Sequence, residues 1–264
     1  MDSLAAAGID ARLVAWDDPT ATLDPVGLIR STWNYYHRPE DFLAWVRAYP
    51  GAMYNPAEVV AWNLHKGYLL DLAAAGVPVV PTALLRRGSA ATLASVAERL
   101  GTTDLVVKPA ISAGSHLTYR SSGALETVRE AYDRLVMERD VLVQPYLSAV
   151  ETSGERALVW IDGEVTHAVR KSPRFAGGVE SVRPVPVTEE QRSFAQRVIA
   201  AAPGPLLYAR VDVIADAAGQ LRVMELELIE PSLFLATSTS GLWRFVDVVA
   251  RKVRGRVRGE ELEA

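Results

Sequence analysis

Asp212, Glu225 and Glu227 are the residues of this chain best spaced to do chemistry together. They lie in the stretch 206–232, LLYARVDVIADAAGQLRVMELELIEPS, which reads as two apolar strands with charges set into the alternation. In the first strand Tyr208, Arg210 and Asp212 share one face, and Leu207, Ala209, Val211 and Val213 the other. In the second, Val223, Glu225 and Glu227 lie opposite in sense to Met224, Leu226 and Leu228. With residues 217–220 as a four-residue loop, Asp212 falls directly opposite Glu225, at about 5 Å between Cβ atoms. A loop of odd length would split the acids between faces. Like charges so close repel unless a cation lies between them. Three convergent carboxylates offer the hard oxygen ligands that Mg²⁺ takes while keeping waters and phosphate oxygens in its shell, and this reading predicts a nucleotide partner. The other reading is a solvated hairpin in which Arg210 bridges the acids, since structural ion-pair networks are common.

Two further features bear on phosphate. Lys108 ends the apolar strand VVKP, where Pro109 stops the ladder, so its side chain projects from a strand end. The following segment ISAGSHLTY holds Ser112, Ala113, Gly114 and Ser115, whose small side chains let backbone N–H groups approach phosphate oxygens. It is not a GxxxxGK[ST] loop. Taken alone, the first reads as a solvated strand end and the second as a simple turn.

Composition excludes several classes. The 264 residues are 49% apolar, enough for one large domain or two to three lobes around a cleft. A net charge of −4 leaves no basic footprint for nucleic acid, and the run RKVRGRVRG is followed at once by EELEA, as in a solvated helix end. With no cysteine there are no disulfides, thiolate chemistry or cysteine zinc sites, and the four histidines form no HExxH pair. No apolar stretch spans a bilayer and no signal peptide precedes the fold, so the expected location is the cytoplasm, without membrane contact. The oligomeric state is open, a homodimer included.

The elements that must position these residues alternate between helix and strand, giving an α/β or α+β class. DSLAAAG reads as a helix closed by Gly8 and RLVAW as a strand after it. A strand normally precedes such a helix, so this lobe reads as lacking its first strand. Gly27 to Arg30 is a short buried strand, followed by the loop STWNYYHR and a helix opened by Pro39, with Phe42 and Trp45 in its core. Arg30, Ser31, Trp33 and Asn34 sit past the end of that strand, where open α/β sheets place ligands. A capping or packing role competes for Trp33. A helix through NPAEVVAWNLHKGYLLDLAAAG ends at Gly76, and a Pro-bounded strand marks a lobe boundary near residue 78. Helix 90–100, strand LVVK, helix 124–138 and strand VLVQPY make the second lobe. ERALVWI and EVTHAVRK flank Asp162-Gly163, a two-residue hairpin signal that sets Glu155 opposite Arg170. Thr188 to Gln191 is a capping box opening a helix to about Ala201, and a last helix covers about 241–254. The domains expected are 1–78, a substrate-side lobe; 79–147, a lid; and 148–264, a catalytic and metal-binding lobe.

In this order the elements resemble the ATP-grasp superfamily, and within it the glutathione-synthetase-like branch, from about residue 55 to 234. NLHK at 63–66 is similar to the family's lysine-bearing helix and VVKP to its second nucleotide lysine. The resemblance therefore implies ATP, with Lys66 and Lys108 on its phosphates and Gly114 and Ser115 in the phosphate loop. Gln144, Pro145, Tyr146 and Leu147 resemble the hinge that reads adenine through its backbone, and Glu155 the acid that binds ribose. AGG at 176–178 is similar to the Gly-Gly segment after the family's second hairpin. Asp212, Glu225 and Glu227 fall on the metal positions, implying one or two Mg²⁺ ions with Mn²⁺ as a substitute, and Ser232 falls on the small motif after them. Two departures stand out: Glu227 where the family usually has asparagine, and Ala157 where it often has arginine. The second leaves Arg156, Arg170 and Lys171 to neutralise the transferring phosphoryl group.

The implied activity is a ligase that phosphorylates a carboxylate to an acyl phosphate for attack by a nitrogen nucleophile, on a small amino-acid or peptide-like substrate. Arg210 would orient the carboxylate or serve as counter-ion to Glu225. RSTWNYYHRPEDF, LLDLAAAGVPVVPT and ELELIEPSLF further resemble the subgroup that cyclises O-ureido-serine in cycloserine biosynthesis. Alternatives are a nucleotide-binding protein without catalysis and a kinase-like or tailing enzyme on a protein acceptor.

Overall fold

The computed structural model describes residues 1–172 and 181–263. Its elements are α1 (Asp2–Ala6), β1 (Val26–Leu28), α2 (Pro39–Arg47), β2 (Ala52–Tyr54), α3 (Ala57–Leu64), α4 (Tyr68–Ala74), β3 (Ala83–Leu85), α5 (Leu93–Leu100), β4 (Leu105–Pro109), β5 (Tyr119–Arg120), α6 (Glu126–Glu138), β6 (Val141–Pro145), α7 (Ala149–Thr152), β7 (Glu155–Ile161), β8 (Glu164–Lys171), β9 (Val182–Val185), α8 (Glu189–Ala200), β10 (Tyr208–Ala215), β11 (Leu221–Glu227) and α9 (Thr239–Glu263). Among the described residues they form a two-stranded sheet β1-β2, a four-stranded sheet β3-β6-β4-β5 and a five-stranded sheet β11-β10-β7-β8-β9. No described helix is long and apolar enough to cross a membrane.

The five-stranded sheet is antiparallel and is covered on both faces. Leu158, Trp160, Val211, Val213 and Leu226 pack with Phe194 and Val198 of α8 and with Tyr68, Leu69 and Leu72 of α4. Val159, Ile161 and Tyr208 pack on the other face with Phe245, Val248 and Val249 of α9. The four-stranded sheet lies against α5 and α6 through Leu105, Val107, Val143, Val96 and Leu135.

Both long hairpins depart from the registers that loop counting predicts. At the tip of β7/β8 Asp162 and Gly163 have φ of +44° and +95°, the left-handed pair that a type I′ turn needs. A bulge then inserts Thr166, and Glu155 pairs with Lys171 rather than Arg170. In β10/β11 the last pair is Ala215 with Leu221, so the loop covers 216–220 and is odd, held by Asp216 Oδ1 accepting from Ala218 N and Gln220 N at 2.9 Å each. That loop alone would put Asp212 opposite Met224. A second bulge, at Met224, restores the pairing of Asp212 with Glu225 and turns Val223 into the core, away from the acids.

The N-terminal region differs more. Residues 12–16 form no strand, and β1 instead pairs in parallel with β2, a three-residue strand that sequence patterning does not reveal. Phe42 is fully buried and Trp45 half-buried in the cluster around them. The helix expected through residue 76 is two helices, α3 and α4, broken at His65–Gly67, where Lys66 N donates to Ala110 O at 2.7 Å.

As the edge strand of its sheet, β11 has an outer row of backbone groups to satisfy. Val223 exchanges hydrogen bonds with Pro78 O and Val80 N, both 2.9 Å. Leu226 N donates to Tyr68 Oη at 3.0 Å and Leu226 O accepts from Asn63 Nδ2 at 2.8 Å. Leu228 N donates to Asn63 Oδ1 and Leu228 O accepts from Asn55 Nδ2, both 2.8 Å. These contacts fix the backbone on either side of Glu225 and Glu227.

Candidate active site

The bulged registers gather charges at one end of the five-stranded sheet. Arg210 Nε donates to Asp212 Oδ1 and its Nη2 to Asp212 Oδ2, both at 2.8 Å, and Nη2 also binds Glu227 Oε1. Lys171 Nζ donates to Asp212 Oδ2 at 2.7 Å and pairs with Glu155. Lys66 Nζ lies 3.2 Å from Glu225 Oε1 and donates to Ser112 O at 2.6 Å. One ligand oxygen from each of Asp212, Glu225 and Glu227 lies within 4.8 Å of the others. This hard-oxygen donor set fits Mg²⁺. The counter-ion reading of Arg210 is corrected in its partner: the guanidinium balances Asp212 and Glu227, and Glu225 takes Lys66.

Burial and pairing split the acids into two kinds. For Asp212 burial opposes ionisation, but Arg210 and Lys171 overcome it and hold the carboxyl well below the usual range. Glu225 is held low in the same way, against burial, by Lys66 and Lys108. Burial dominates at Glu227, which is pushed up to about 8 despite Arg210, and at Glu155, pushed up to about 7 despite Lys171. Burial disfavours the charge of Lys171 too, yet Asp212 beside it raises the ammonium above its ordinary range.

The Lys108 side chain, on β4, makes no hydrogen bond or ion pair among the described residues, and burial lowers its pKa against the pull of Glu225. The loop after it runs through left-handed Gly114 and Ser115, with φ of +59° and +60°, and is tied to Lys66 through Ser112 O. Gln144 is buried and donates to Thr82 Oγ1 at 2.8 Å. Tyr146 N donates to Asp104 O and its hydroxyl to Glu151, while Leu147 packs beside Val80, Val150 and Ile214. Leu147 N has no hydrogen-bond partner among the described residues.

Three expectations meet different surroundings. Glu155 sits in the acid–cation cluster as the partner of Lys171. Arg170 is separated from Lys171 by the pleat, which sends adjacent side chains to opposite faces; its Nη2 donates to Thr152 O at 2.6 Å. Asn34 is engaged with Trp16 Nε1 at 2.8 Å, which leaves its amide holding the loop. Ser31 and Ser232 are exposed, and Trp33 is 59% exposed, so it packs into no core. Arg30 donates to Pro231 O at 2.8 Å. Ala176, Gly177 and Gly178 lie outside the described residues. Sequence reasoning passed over Asn55, Asn63 and Tyr68, whose contacts to β11 are all long-range, and Glu230, the third glutamate of ELELIE.

Known proteins share the sequence and the fold of this chain. Residues 1–55 match the family model described as the N-terminal domain of D-cycloserine synthetase DcsG. The cycloserine biosynthesis protein DcsG of Streptomyces lavendulae is 33% identical over 94% of this chain and 90% of its own length. The crystal structure of D-cycloserine synthetase DcsG superposes with a TM-score of 0.87 at 32% identity, covering 95% of this chain and 92% of that one. The ATP-grasp ligase PsnB, complexed with a minimal precursor, Mg and ADP, shares the fold at a TM-score of 0.63 and 19% identity, over 95% and 91% of the two chains. The chain belongs to the DcsG family of ATP-dependent, C–N bond-forming ligases on the ATP-grasp fold.

Proposed function

We propose that this ligase closes a ring within one small α-amino acid of the O-ureido-serine type. The substrate carboxylate takes the γ-phosphoryl group and ADP leaves; a nitrogen of the same molecule then attacks the acyl carbon, loses its proton and displaces phosphate. The observation that carries the reading is the convergence of Asp212, Glu225 and Glu227 beside Lys66, Lys171 and Arg210, in a chain one-third identical to a cycloserine biosynthesis protein over nearly its whole length.

Asp212, Glu225 and Glu227 would hold Mg²⁺, or Mn²⁺ in its place, which when bound neutralises charge on the phosphates. Lys108, which has no ion-pair partner among the described residues, and Lys66 would face the phosphates, with the 112–115 loop offering backbone N–H groups. Leu147 N, at the hinge after β6, has no partner among the described residues and would meet the adenine edge. Lys171 would stabilise the transferring group from its place on Asp212, and Glu155 would keep that lysine in position. Arg170, on the other face of β8, is left out of the chemistry. Residues 1–78 would form the substrate side, with 79–147 and 148–264 closing on the nucleotide.

Phosphate release from MgATP, measured across a panel of serine-derived amino acids with mass analysis of products, tests this. We expect release with O-ureido- or aminooxy-type substrates, a product of one substrate minus water, and no release by Glu225→Ala. Products joining two substrate molecules, or bound MgATP with no release from any substrate, would refute ring closure.

A further inference from the structure

The junction between residues 29–35 and 229–232 holds polar groups that the chemistry above does not use. It is pinned by Tyr208, fully buried, whose hydroxyl lies 2.7 Å from Ile29 O, 3.0 Å from Tyr54 O and 3.1 Å from Ile229 O. Arg30 and Glu230 follow these carbonyls directly in the chain. Arg30 stacks 5.2 Å from the centroid of the Tyr208 ring and spends Nη2 on Pro231 O. Ile29, Tyr35 and Ile229 share one apolar cluster, and Tyr35 stacks on Phe42 at 5.1 Å.

Four polar groups are left over here. Arg30 Nη1 and Thr32 Oγ1 are buried without a hydrogen-bond partner among the described residues. Glu230 and Tyr35 are each 6% exposed, and neither the carboxylate nor the hydroxyl has a hydrogen bond or ion pair among the described residues. A buried polar atom without a partner, as Arg30 Nη1 and Thr32 Oγ1 are among the described residues, costs about 1–3 kcal/mol, and native proteins tolerate few of them. Arg30 and Glu230 attract each other but form no ion pair among the described residues, and Arg210, the other guanidinium nearby, is already held by Asp212 and Glu227.

We propose that this junction is a receptor for an amino-acid zwitterion, with Glu230 and Tyr35 taking the α-ammonium and Arg30 and Thr32 the carboxylate. Burial raises the pKa of Glu230 against the pull of Arg210, Lys66 and Arg30, and lowers that of Arg30 against the pull of Tyr208 and Glu230. Glu230 lies within electrostatic reach of Arg210, Lys66 and Glu225, and Arg30 within reach of Arg210, so the junction adjoins the metal-binding acids. The proposal rests on the amino-acid ligase reading and adds which end of the substrate is recognised by what.

The test compares the native protein with Glu230→Gln and Tyr35→Phe, using the amino-acid substrate and its des-amino analogue. Losing a charge-assisted hydrogen bond should raise KM for the amino acid about 10–100-fold in Glu230→Gln, with KM for ATP unchanged. The des-amino analogue, as a competitive inhibitor, should bind native and variant alike. Tyr35→Phe should weaken the amino acid about tenfold or less and leave the analogue unaffected. Equal discrimination between amino acid and analogue by native and Glu230→Gln proteins would overturn the receptor while leaving the ligase intact. If Glu230→Gln does not fold, failure of the native enzyme to prefer the ammonium-bearing compound overturns it. If no substrate is turned over, the ring-closing reading fails separately, and amino-acid-dependent thermal stabilisation lost in Tyr35→Phe still supports the receptor.

Discussion

Replacing Asn63 with leucine tests whether the edge of β11 is what holds the metal-binding acids in place. The change keeps approximate volume but removes both the donor to Leu226 O and the acceptor for Leu228 N, each a 2.8 Å contact. Leu226 is 1% exposed and Leu228 fully buried, so water does not replace the amide. Two stranded backbone groups at about 1–3 kcal/mol each give a loss of about 2–6 kcal/mol. Against a total stability of about 5–15 kcal/mol that is large and measurable. Urea unfolding should show a lower midpoint with an unchanged slope. Because Glu227 lies between the two orphaned residues, Mg²⁺-dependent stabilisation by ATP should fall as well. A loss below about 0.5 kcal/mol, the range of an ordinary surface substitution, with Mg²⁺ dependence intact, would refute the idea that this asparagine secures the strand.

Other outcomes follow from the same geometry. Lys171→Met should lower kcat about 10²–10³-fold, the usual consequence of deleting one electrostatic contact to a transition state, while ATP binding by equilibrium dialysis persists. Glu227 and Glu155 have folded pKa values of about 8 and about 7, above the ordinary carboxylate value. They therefore subtract stability as pH rises from the ordinary carboxylate range through 7 to 8. Asp212 and Glu225, held low, add stability above the ordinary range that is lost as pH falls through their depressed values. Mg²⁺ should accordingly bind more tightly as pH approaches 8 and release a proton at pH 7, measured by calorimetry in buffers of different ionisation heat. Thr188→Ala removes the Oγ1 acceptor of Gln191 N, the side-chain half of the capping box on α8, and should cost about 1 kcal/mol of unfolding free energy without changing KM.

What the sequence revealed depended on how local the cause was. The Asp162-Gly163 turn, the Thr188 capping box and the shared side of Glu225 and Glu227 in ELEL are each written in neighbouring residues, and all stand as expected. The pairing of β1 with β2 was not legible, because three residues carry too little periodicity to separate a strand from a loop. Nor was the break at Lys66, which is set by Ala110 O, far away in sequence. Asn55 and Asn63 read as helix-end and helix residues, although their amides serve as strand partners for β11. Arg170 and Lys171 look equivalent as a basic pair, and the pleat separates them.

The two bulges have one cause, and it lies in the core rather than in the site. Val165 and Ala168 on β8, and Val223 and Leu226 on β11, all belong to the cluster beneath α8 and α4. Each pair is three residues apart, a spacing that strict alternation puts on opposite faces. Burying a valine is worth about 1.5–3 kcal/mol, which offsets the pairing lost where one extra residue is inserted. The insertion at Thr166 carries Lys171 to Glu155, and the insertion at Met224 carries Glu225 to Asp212. The charges thus meet because apolar residues further along the same strands demand burial. Their own repulsion is then met by Lys171, Arg210 and Lys66. Apolar spacing along each strand, rather than the length of its loop, sets the register of this site.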